Sequence, residues 1–299
     1  MRVLVTGGAG FLGSHLVDAL VERGDEVVVL DDLSRGSKSQ IADGAKFVHG
    51  DVRSVDDWKE VCSGFSPQII HHLAAVNGTR RFHKEADLVV DVNVNGTRNA
   101  LQFAKEYNSR MIFYSSPESF GEQEEMPLSN DSPSLFPPAH LHQRHSYGSS
   151  KHIGELLCQF EVRNGLDVRI VRPCNVYGAR LHGDENGQVV SMMMAANPIV
   201  VHGDGEQTRS LTWIADVIEG LLKVSDIEGL TGKAFNLGST QEVTMLELAN
   251  LIAKMRDVEV VFGKENLGDS KRRLPDVSMN DAIQWQATTS LQQGLSQLR

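Results

Sequence analysis

Tyr147 and Lys151 lie four residues apart in the run Ser-Tyr-Gly-Ser-Ser-Lys. On a helix, this spacing places both side chains on one face. An ammonium group near a phenol favours the phenolate and lowers the tyrosine pKa from its ordinary value of about 10. Such a tyrosine can take the proton of a hydroxyl group while hydride leaves the same carbon. We therefore predict that Tyr147 and Lys151 are catalytic residues that oxidise an alcohol.

A second polar cluster lies in the segment Ser115-Ser-Pro-Glu-Ser-Phe-Gly121, directly after a predicted strand. Open α/β sheets bind their ligands at the carboxyl ends of the strands. At that position Ser116 would donate a hydrogen bond to the reacting oxygen, although serine and proline also suit a simple turn. Glu118 is a candidate catalytic carboxylate, and a plain loop residue is the alternative.

The chain begins with a glycine-rich loop between a predicted strand and a predicted helix. Gly7, Gly10 and Gly13 stand in a G-x-x-G-x-x-G pattern, and Phe11 and Leu12 open the helix. Glycine lets the backbone approach a pyrophosphate, whose charge then lies at the helix N-terminus. The spacing differs by one residue from the common dinucleotide pattern, and an ordinary glycine-rich turn is the alternative.

Acidic residues at the end of the second predicted strand indicate which dinucleotide binds. Asp31 and Asp32 follow the glycine loop by about 20 residues, where a carboxylate accepts hydrogen bonds from ribose hydroxyl groups. A carboxylate there repels a 2′-phosphate, which favours NAD over NADP, although Arg35 lies close by. The other residues predicted to contact the cofactor are Asp51 and Val52 at the adenine, and Leu73, Ala74 and Ala75 where the cofactor lies close to the sheet.

The elements that must position these residues alternate between short apolar runs and amphipathic stretches. The predicted strands are Val3–Thr6, Val27–Leu30, Lys46–His49, Gln68–Leu73, Met111–Ser115 and Val168–Arg172. Apolar residues at consecutive positions are typical of strands buried on both faces. We therefore predict an α/β fold with a doubly wound parallel sheet. Residues 1–172 form the NAD-binding domain with a returning segment at about 211–238, and 173–299 form most of a smaller substrate-binding domain.

Composition and charge narrow the class of partner. The net charge of −10 argues against nucleic acid as a partner, because proteins that bind nucleic acid carry clustered lysine and arginine residues. No apolar stretch approaches the roughly 20 residues of a membrane span. The three cysteines are widely spaced, which fits a reducing cytoplasm. His140, His142 and His145 lack the cysteine or carboxylate pattern of a zinc site, so we expect no metal.

Together these blocks resemble the extended short-chain dehydrogenase/reductase superfamily, in its NAD-dependent nucleotide-sugar epimerase/dehydratase branch. The resemblance spans nearly the whole chain, through Asn93-Val-Asn-Gly-Thr97, Arg172-Pro-Cys-Asn-Val-Tyr-Gly178, Gly203–Arg209 and Arg273-Leu-Pro-Asp276. It implies a nucleotide-diphosphate sugar as substrate, held by Asn175, Arg209 and Arg273. It also implies that Asn93, Pro173 and Lys151 lie at the NAD. The stretches 86–107 and 147–160 resemble helices that form a homodimer interface in the family.

The resemblance implies oxidation at sugar C4, and the fate of the 4-keto sugar decides the enzyme. Return of hydride to the other face gives a 4-epimerase, loss of water a 4,6-dehydratase, and loss of CO2 from a C6 carboxylate a decarboxylase. This chain has Ser116-Pro117-Glu118 at the position where dehydratases of the family have a motif similar to Thr-Asp-Glu. UDP-glucuronate decarboxylases have a motif similar to Ser-Glu there. The sequence favours a UDP-hexose 4-epimerase-like enzyme, with decarboxylase and dehydratase as alternatives. A non-catalytic NAD-binding relative is the alternative from another class.

Overall fold

A computed structural model describes residues 1–141, 143, 145–184, 186–264 and 271–298. The strands are β1 Arg2–Thr6, β2 Glu26–Asp31, β3 Lys46–His49, β4 Ile69–His72, β5 Arg110–Tyr114, β6 Val168–Pro173, β7 Val176–Tyr177, β8 Ile199–His202, β9 Thr208–Ser210, β10 Thr212–Trp213, β11 Ala234–Leu237, β12 Glu242–Thr244, β13 Val260–Gly263 and β14 Arg272–Arg273. The α-helices are α1 Phe11–Glu22, α2 Val55–Cys62, α3 Thr79–Lys84, α4 Ala86–Glu106, α5 Ser146–Arg163, α6 Val189–Ala195, α7 Ile214–Asp226, α8 Met245–Arg256 and α9 Leu291–Ser296.

Seven parallel strands form the large sheet in the order β11-β6-β5-β4-β1-β2-β3. The chain runs outward from β1 through β2 to β3 and then returns to the centre at β4. This reversal creates a crevice at the carboxyl ends of β1 and β4, where doubly wound sheets bind dinucleotides. The predicted doubly wound α/β fold is confirmed, and each predicted strand ends within one residue of the observed one.

The two faces of the sheet carry separate hydrophobic cores, as the consecutive apolar residues predict. In β1, Val3 and Val5 pack into one core while Leu4 packs into the other, and all three side chains are fully buried. Side chains alternate between the faces of a strand, so a strand covered on both sides must be apolar at every position. Trp58 and Phe103 stack in the second core, with ring centroids 5.4 Å apart, and attach α2 and α4 to the sheet.

The C-terminal part adds small sheets beside the carboxyl end of the large one. Strand β9 pairs with both β12 and β14, which sets Arg209 opposite Arg273. Helix α8 begins with a capping box, in which Thr244 and Glu247 satisfy each other's backbone amide groups. Strand β11 returns to the edge of the large sheet beside β6. Among the described residues, no helix is both long and apolar enough to cross a membrane.

Candidate active site

A cleft of about 1010 Å³ opens at the carboxyl end of the large sheet. Residues predicted for three different roles line this one cleft. They are the catalytic candidates Ser116, Glu118, Tyr147 and Lys151; the cofactor candidates Gly7, Gly10, Phe11, Leu12, Gly13, Asp31, Asp32, Asp51, Val52, Leu73, Ala74, Ala75 and Pro173; and the substrate candidates Asn175, Arg209 and Arg273. The fold therefore brings together residues that are widely separated in the chain.

The glycine loop packs too tightly for side chains at two of its positions. Gly7 has a φ of +72°, and a Cβ there would lie 2.7 Å from the backbone nitrogen of Ala74. A Cβ on Gly13 would lie 2.2 Å from the carbonyl oxygen of Gly7. The first turn of α1 has no side-chain cap and lines the cleft. The unpaired N–H groups and the dipole at this helix N-terminus favour an anion.

Asp31 joins the glycine loop to the loop that follows β2. Its carboxylate accepts hydrogen bonds from the backbone nitrogens of Ala9 (2.9 Å) and Leu33 (2.8 Å). The side chain is buried, and burial raises the pKa of this carboxyl group although both hydrogen bonds act in the opposite direction. Each oxygen keeps a lone pair, so Asp31 can also accept from ribose hydroxyl groups. Asp32 is more exposed and accepts from the backbone nitrogen of Ser34.

Two cofactor candidates have side chains that are already engaged within the protein. Asp51 lines the cleft, but its carboxylate accepts from the guanidinium of Arg53 at 2.6–3.1 Å, which holds the pKa of Asp51 below its usual range. Asn93 does not line the cleft directly, and its contact with the cofactor stays a prediction. Its buried amide accepts from the Val76 nitrogen (2.8 Å) and donates to the Ser150 hydroxyl (2.9 Å). Asn93 therefore fixes the cleft wall from behind.

Helix α5 places Tyr147 against α3 and α4. Phe82 of α3 stacks on the Tyr147 ring, with centroids 5.0 Å apart and planes inclined by 14°. The Ser116 side chain forms a hydrogen bond with the Tyr147 hydroxyl. Ser116 also caps the short 3-10 helix Pro117–Phe120, because its hydroxyl accepts from the Glu118 nitrogen. The phenol is therefore held by ring stacking and by the Ser116 hydroxyl together.

Lys151 does not acidify Tyr147 in the way that the sequence predicts. Its ammonium donates to the backbone oxygen of Tyr114 (2.7 Å) and lies 5.7 Å from the centroid of the Tyr147 ring. Burial lowers the pKa of Lys151 to about 8. Burial also raises the pKa of Tyr147 above its ordinary value, which outweighs the hydrogen bond from Ser116. The protein without ligand therefore holds Tyr147 as a neutral phenol.

Glu118 and Arg273 meet beside Tyr147. The Arg273 Nη2 lies 3.7 Å from the Glu118 Oε2 and donates to the Gly121 carbonyl (2.7 Å). Arg273 is buried, and its Nε and Nη1 have no hydrogen-bond partner in the described part of the chain. Buried donors are almost always satisfied, so an anionic ligand fits here. The negative charge of Glu118 raises the pKa of Tyr147.

Asn175 and Arg209 line the cleft on the side of the small sheets. Asn175 donates its amide to the Ser210 carbonyl (3.1 Å) and has a φ of +42°. Arg209 donates to the carbonyl of Thr208 (2.8 Å) and lies opposite Arg273 in the paired strands. Two guanidinium groups in one wall suit a ligand with more than one negative charge.

Several residues at the cleft escaped the sequence analysis. Phe82 is one, because a stacking partner 65 positions from Tyr147 leaves no local pattern. The ion pair between Arg35 and Asp184 also could not be predicted, although the sequence places Arg35 close to Asp32. Among the described residues there is no group of three potential metal ligands. His142 lies outside the described residues.

A sequence model of the NAD dependent epimerase/dehydratase family matches residues 3–238, which include β1 from its second residue, β2 to β11 and the catalytic candidates. The chain belongs to this family. The NAD dependent epimerase/dehydratase family uses NAD as its cofactor, and the cleft fits that group. The tightly packed glycine loop at the N-terminus of α1 suits a pyrophosphate, and Asp31 suits a ribose.

Individual members of the family match this chain over nearly its whole length. UDP-glucuronic acid decarboxylase 1 of Arabidopsis thaliana is 33% identical over 100% of this chain and 69% of its own length. UDP-N-acetyl-alpha-D-glucosaminuronate decarboxylase of Bacillus cytotoxicus is 31% identical over 99% of this chain and 96% of its own. The structure of UDP-glucose 4-epimerase from Thermotoga maritima, with UDP-glucose, has a TM-score of 0.92 at 28% identity and covers 99% and 97% of the two chains. The chain is thus similar to enzymes with two different outcomes.

Proposed function

We propose that this protein is an NAD-dependent decarboxylase of a UDP-linked uronate sugar, which oxidises the sugar transiently at C4. The observation that carries the proposal is the Glu118 carboxylate, which lies beside both Tyr147 and the buried guanidinium of Arg273. The sequence alone favours a 4-epimerase, and the geometry around Glu118 shifts the preference to decarboxylation.

The first step depends on Tyr147 and Ser116. Bound NAD supplies the oxidant, which accepts hydride from C4 and later returns it. Tyr147 takes the C4 hydroxyl proton, and the Ser116 hydroxyl donates to the oxygen that becomes the carbonyl. Because burial raises the pKa of Tyr147, this step needs a positive charge close to the phenol. The nicotinamide ring of bound NAD would supply this charge, because the Lys151 ammonium donates to the Tyr114 carbonyl.

The second step depends on the substituent at C6. A ketone at C4 turns a C6 carboxylate into a β-keto acid, so the C5–C6 bond breaks and CO2 leaves. The electron pair of that bond moves to the C4 oxygen as an enolate, which Ser116 and protonated Tyr147 stabilise. C5 then takes a proton that comes from solvent water and is relayed by the Glu118 carboxyl group, so the reaction consumes one solvent proton for each CO2 released. Tyr147 finally returns its proton to the C4 oxygen as the ketone is reduced.

Glu118 argues for a reaction beyond simple epimerisation. A 4-epimerase needs only the proton exchange at C4, in which a carboxylate at Glu118 has no function. Decarboxylation gives Glu118 a function at C5. Pro117 occupies the position of the aspartate in the dehydratase-like motif Thr-Asp-Glu, so the chain has no acid there to protonate a departing C6 hydroxyl.

The 4-epimerase is the second candidate. It is supported by the likeness of the whole fold to UDP-glucose 4-epimerase from Thermotoga maritima, since the TM-score of 0.92 extends over 99% of this chain. The non-catalytic alternative is disfavoured, because Ser116, Tyr147 and Lys151 all line the cofactor cleft together.

We further infer that the protein is a homodimer and works in the cytoplasm. Helices α4 and α5 pack side by side and expose Val90, Ile153, Leu156 and Phe160, whose exposed fractions are 38–59%. Exposed apolar side chains that cluster on paired helices mark a protein interface. The reducing compartment is supported by the cysteines, which are all buried and unpaired.

The experiment is product analysis of the NAD-loaded protein with UDP-glucuronate, UDP-N-acetylglucosaminuronate and UDP-glucose, by mass spectrometry and NMR. We expect loss of CO2 from a uronate and no reaction of UDP-glucose. A C4 epimer of unchanged mass from any of them, without loss of CO2, contradicts decarboxylation and supports the epimerase.

Glu118→Gln separates the two steps of the proposed reaction. This variant should still oxidise the sugar at C4 and lose CO2 from it once, but slow protonation at C5 should stop turnover after that, so that reduced cofactor accumulates and little CO2 is released over time. Glu124→Gln is the matched control, because Glu124 is exposed in the neighbouring loop and lies outside the cleft. Unchanged release of CO2 by Glu118→Gln contradicts the role of Glu118.

A further inference from the structure

An ion pair closes the cleft at the adenosine side. The guanidinium of Arg35 donates from Nη1 and Nη2 to the two carboxylate oxygens of Asp184, at 2.5 and 2.8 Å. These residues are 149 positions apart; Arg35 lines the cleft, and Asp184 stands in the chain between the lining residues His182 and Asn186. Arg35 follows β2 in the large sheet, whereas Asp184 belongs to the segment between β7 and α6. A bidentate pair of this kind has a defined geometry in addition to its charge attraction.

The loop that carries Arg35 is anchored to the glycine loop. A Cβ on Gly36 would lie 2.4 Å from the Ala9 carbonyl oxygen, and the Ser37 nitrogen donates to that same oxygen (3.1 Å). The Asp31 carboxylate holds the start of the loop through the Leu33 nitrogen. Arg35 is therefore presented from a fixed backbone, close to the two carboxylates at the ribose position.

The segment that carries Asp184 is fixed as well; we call residues 182–184 and 186–188 the strap. The Asn186 nitrogen donates to the Asp184 carboxylate (3.0 Å), and the Gly187 nitrogen donates to the Asp184 carbonyl (2.8 Å). Beyond this turn, Asn186 packs on Gly78 of the loop after β4, where a Cβ would lie 3.0 Å from the Asn186 Cβ. The strap thus contacts the large-sheet side at Arg35 and at Gly78.

We propose that the Arg35–Asp184 pair selects NAD over NADP and slows the exchange of bound cofactor. A 2′-phosphate on the adenosine ribose needs a cation beside Asp31 and Asp32, and Arg35 is the arginine in that position. Both terminal nitrogens of Arg35 donate to Asp184, so the Arg35 guanidinium is not available to bind a phosphate. The same contact holds the strap across the cleft, and NAD leaves only after the pair opens. This inference rests on the NAD site and not on the fate of the sugar.

The test measures cofactor binding rather than turnover. The protein is loaded with radiolabelled NAD and chased with unlabelled NAD or NADP, and the bound label is followed by gel filtration. Asp184→Asn should lose label about five- to tenfold faster, because one charge-assisted pair contributes about 1 kcal/mol. It should also let NADP displace the label at about tenfold lower concentration than in the wild type, since Arg35 becomes available to the 2′-phosphate. Arg35→Gln should lose label equally fast without any gain for NADP.

Two further variants keep the test decisive. The charge-swapped protein, Arg35→Asp with Asp184→Arg, should restore slow loss of label, which shows that the variants fold. Asp226→Asn is the matched control, because Asp226 pairs with Arg23 at 2.7 Å between α1 and α7, away from the cleft. Asp184→Asn that retains NAD and rejects NADP as the wild type does overturns the proposal, as does an equal acceleration by Asp226→Asn.

Discussion

The Arg273 guanidinium lies 3.7 Å from the Glu118 carboxylate, with its Nε and Nη1 buried and unpartnered among the described residues. A buried cation with unsatisfied donors costs stability in the free protein and gains its partners when an anion binds. The arrangement therefore favours ligand binding over the stability of the fold. It also places the cation beside the carboxylate that distinguishes this site from that of a simple epimerase.

Arg273→Met should separate binding from stability. We expect the affinity for UDP-sugar to fall by at least about tenfold, because charge-assisted hydrogen bonds are lost. The free energy of unfolding should change by no more than about 1 kcal/mol, since the lost bond to the Gly121 carbonyl is offset by relief of the buried donors. Calorimetric titration and urea denaturation give the two values.

Arg272→Met is the control for this variant. Arg272 is the neighbouring residue, but it is exposed and paired with Glu242 outside the cleft. Its replacement should leave the affinity for UDP-sugar unchanged. Equal losses of affinity in the two variants contradict a specific role for Arg273.

The fold could be predicted because its decisive signals are local. Strand β1 shows three consecutive buried apolar residues, and the glycine loop follows it directly. The cleft residues followed from motifs with the same local character. The engagement of Asp51 by Arg53 did not, although the two residues are close in sequence, because the choice among Arg53, solvent and ligand depends on the folded surroundings.

Tertiary contacts explain the remaining differences. Whether Lys151 acidifies Tyr147 depends on the carbonyl of Tyr114, which β5 brings within 2.7 Å of the ammonium. Whether Asn93 reaches the cofactor depends on Ser150, which lies 57 positions away in the chain. A one-dimensional pattern contains neither distance.

His71 and His72 should make the protein sensitive to acid. Burial lowers the pKa of each to about 3 from an ordinary value of 6.5. Between these values the unfolded chain binds more protons than the folded one, so stability is fully present above pH 6.5 and is lost as the pH falls toward 3. Each histidine contributes a slope of up to about 1.4 kcal/mol per pH unit.

His72→Asn tests this linkage. The Asn amide can replace the ring Nδ1 in the 2.9 Å hydrogen bond with Thr6, and asparagine does not titrate. Urea unfolding of both proteins at about pH 7 and about pH 5 should show a pH dependence smaller by about one proton in the variant. The same dependence in both proteins contradicts a neutral, buried His72.

The exposed apolar face of α4 and α5 should form the dimer interface. Phe160→Glu places a charge on that face, where the side chain of Phe160 is 59% exposed, and we expect a monomer by light scattering. Phe262→Glu is the control, because Phe262 is 62% exposed on β13, outside this helix pair. A wild-type protein that is already monomeric, or a dimer that survives Phe160→Glu, contradicts the proposed interface.

Transient oxidation at C4 can be followed with a uronate substrate that carries deuterium at C4. We expect a product that has lost CO2 and keeps the deuterium at C4, because the hydride removed there returns to the same carbon. The labelled substrate should react more slowly than the unlabelled one, and Tyr147→Phe should not react at all. Solvent hydrogen at C4 of the product, or a rate that deuterium leaves unchanged together with turnover by Tyr147→Phe, would contradict transient oxidation at C4.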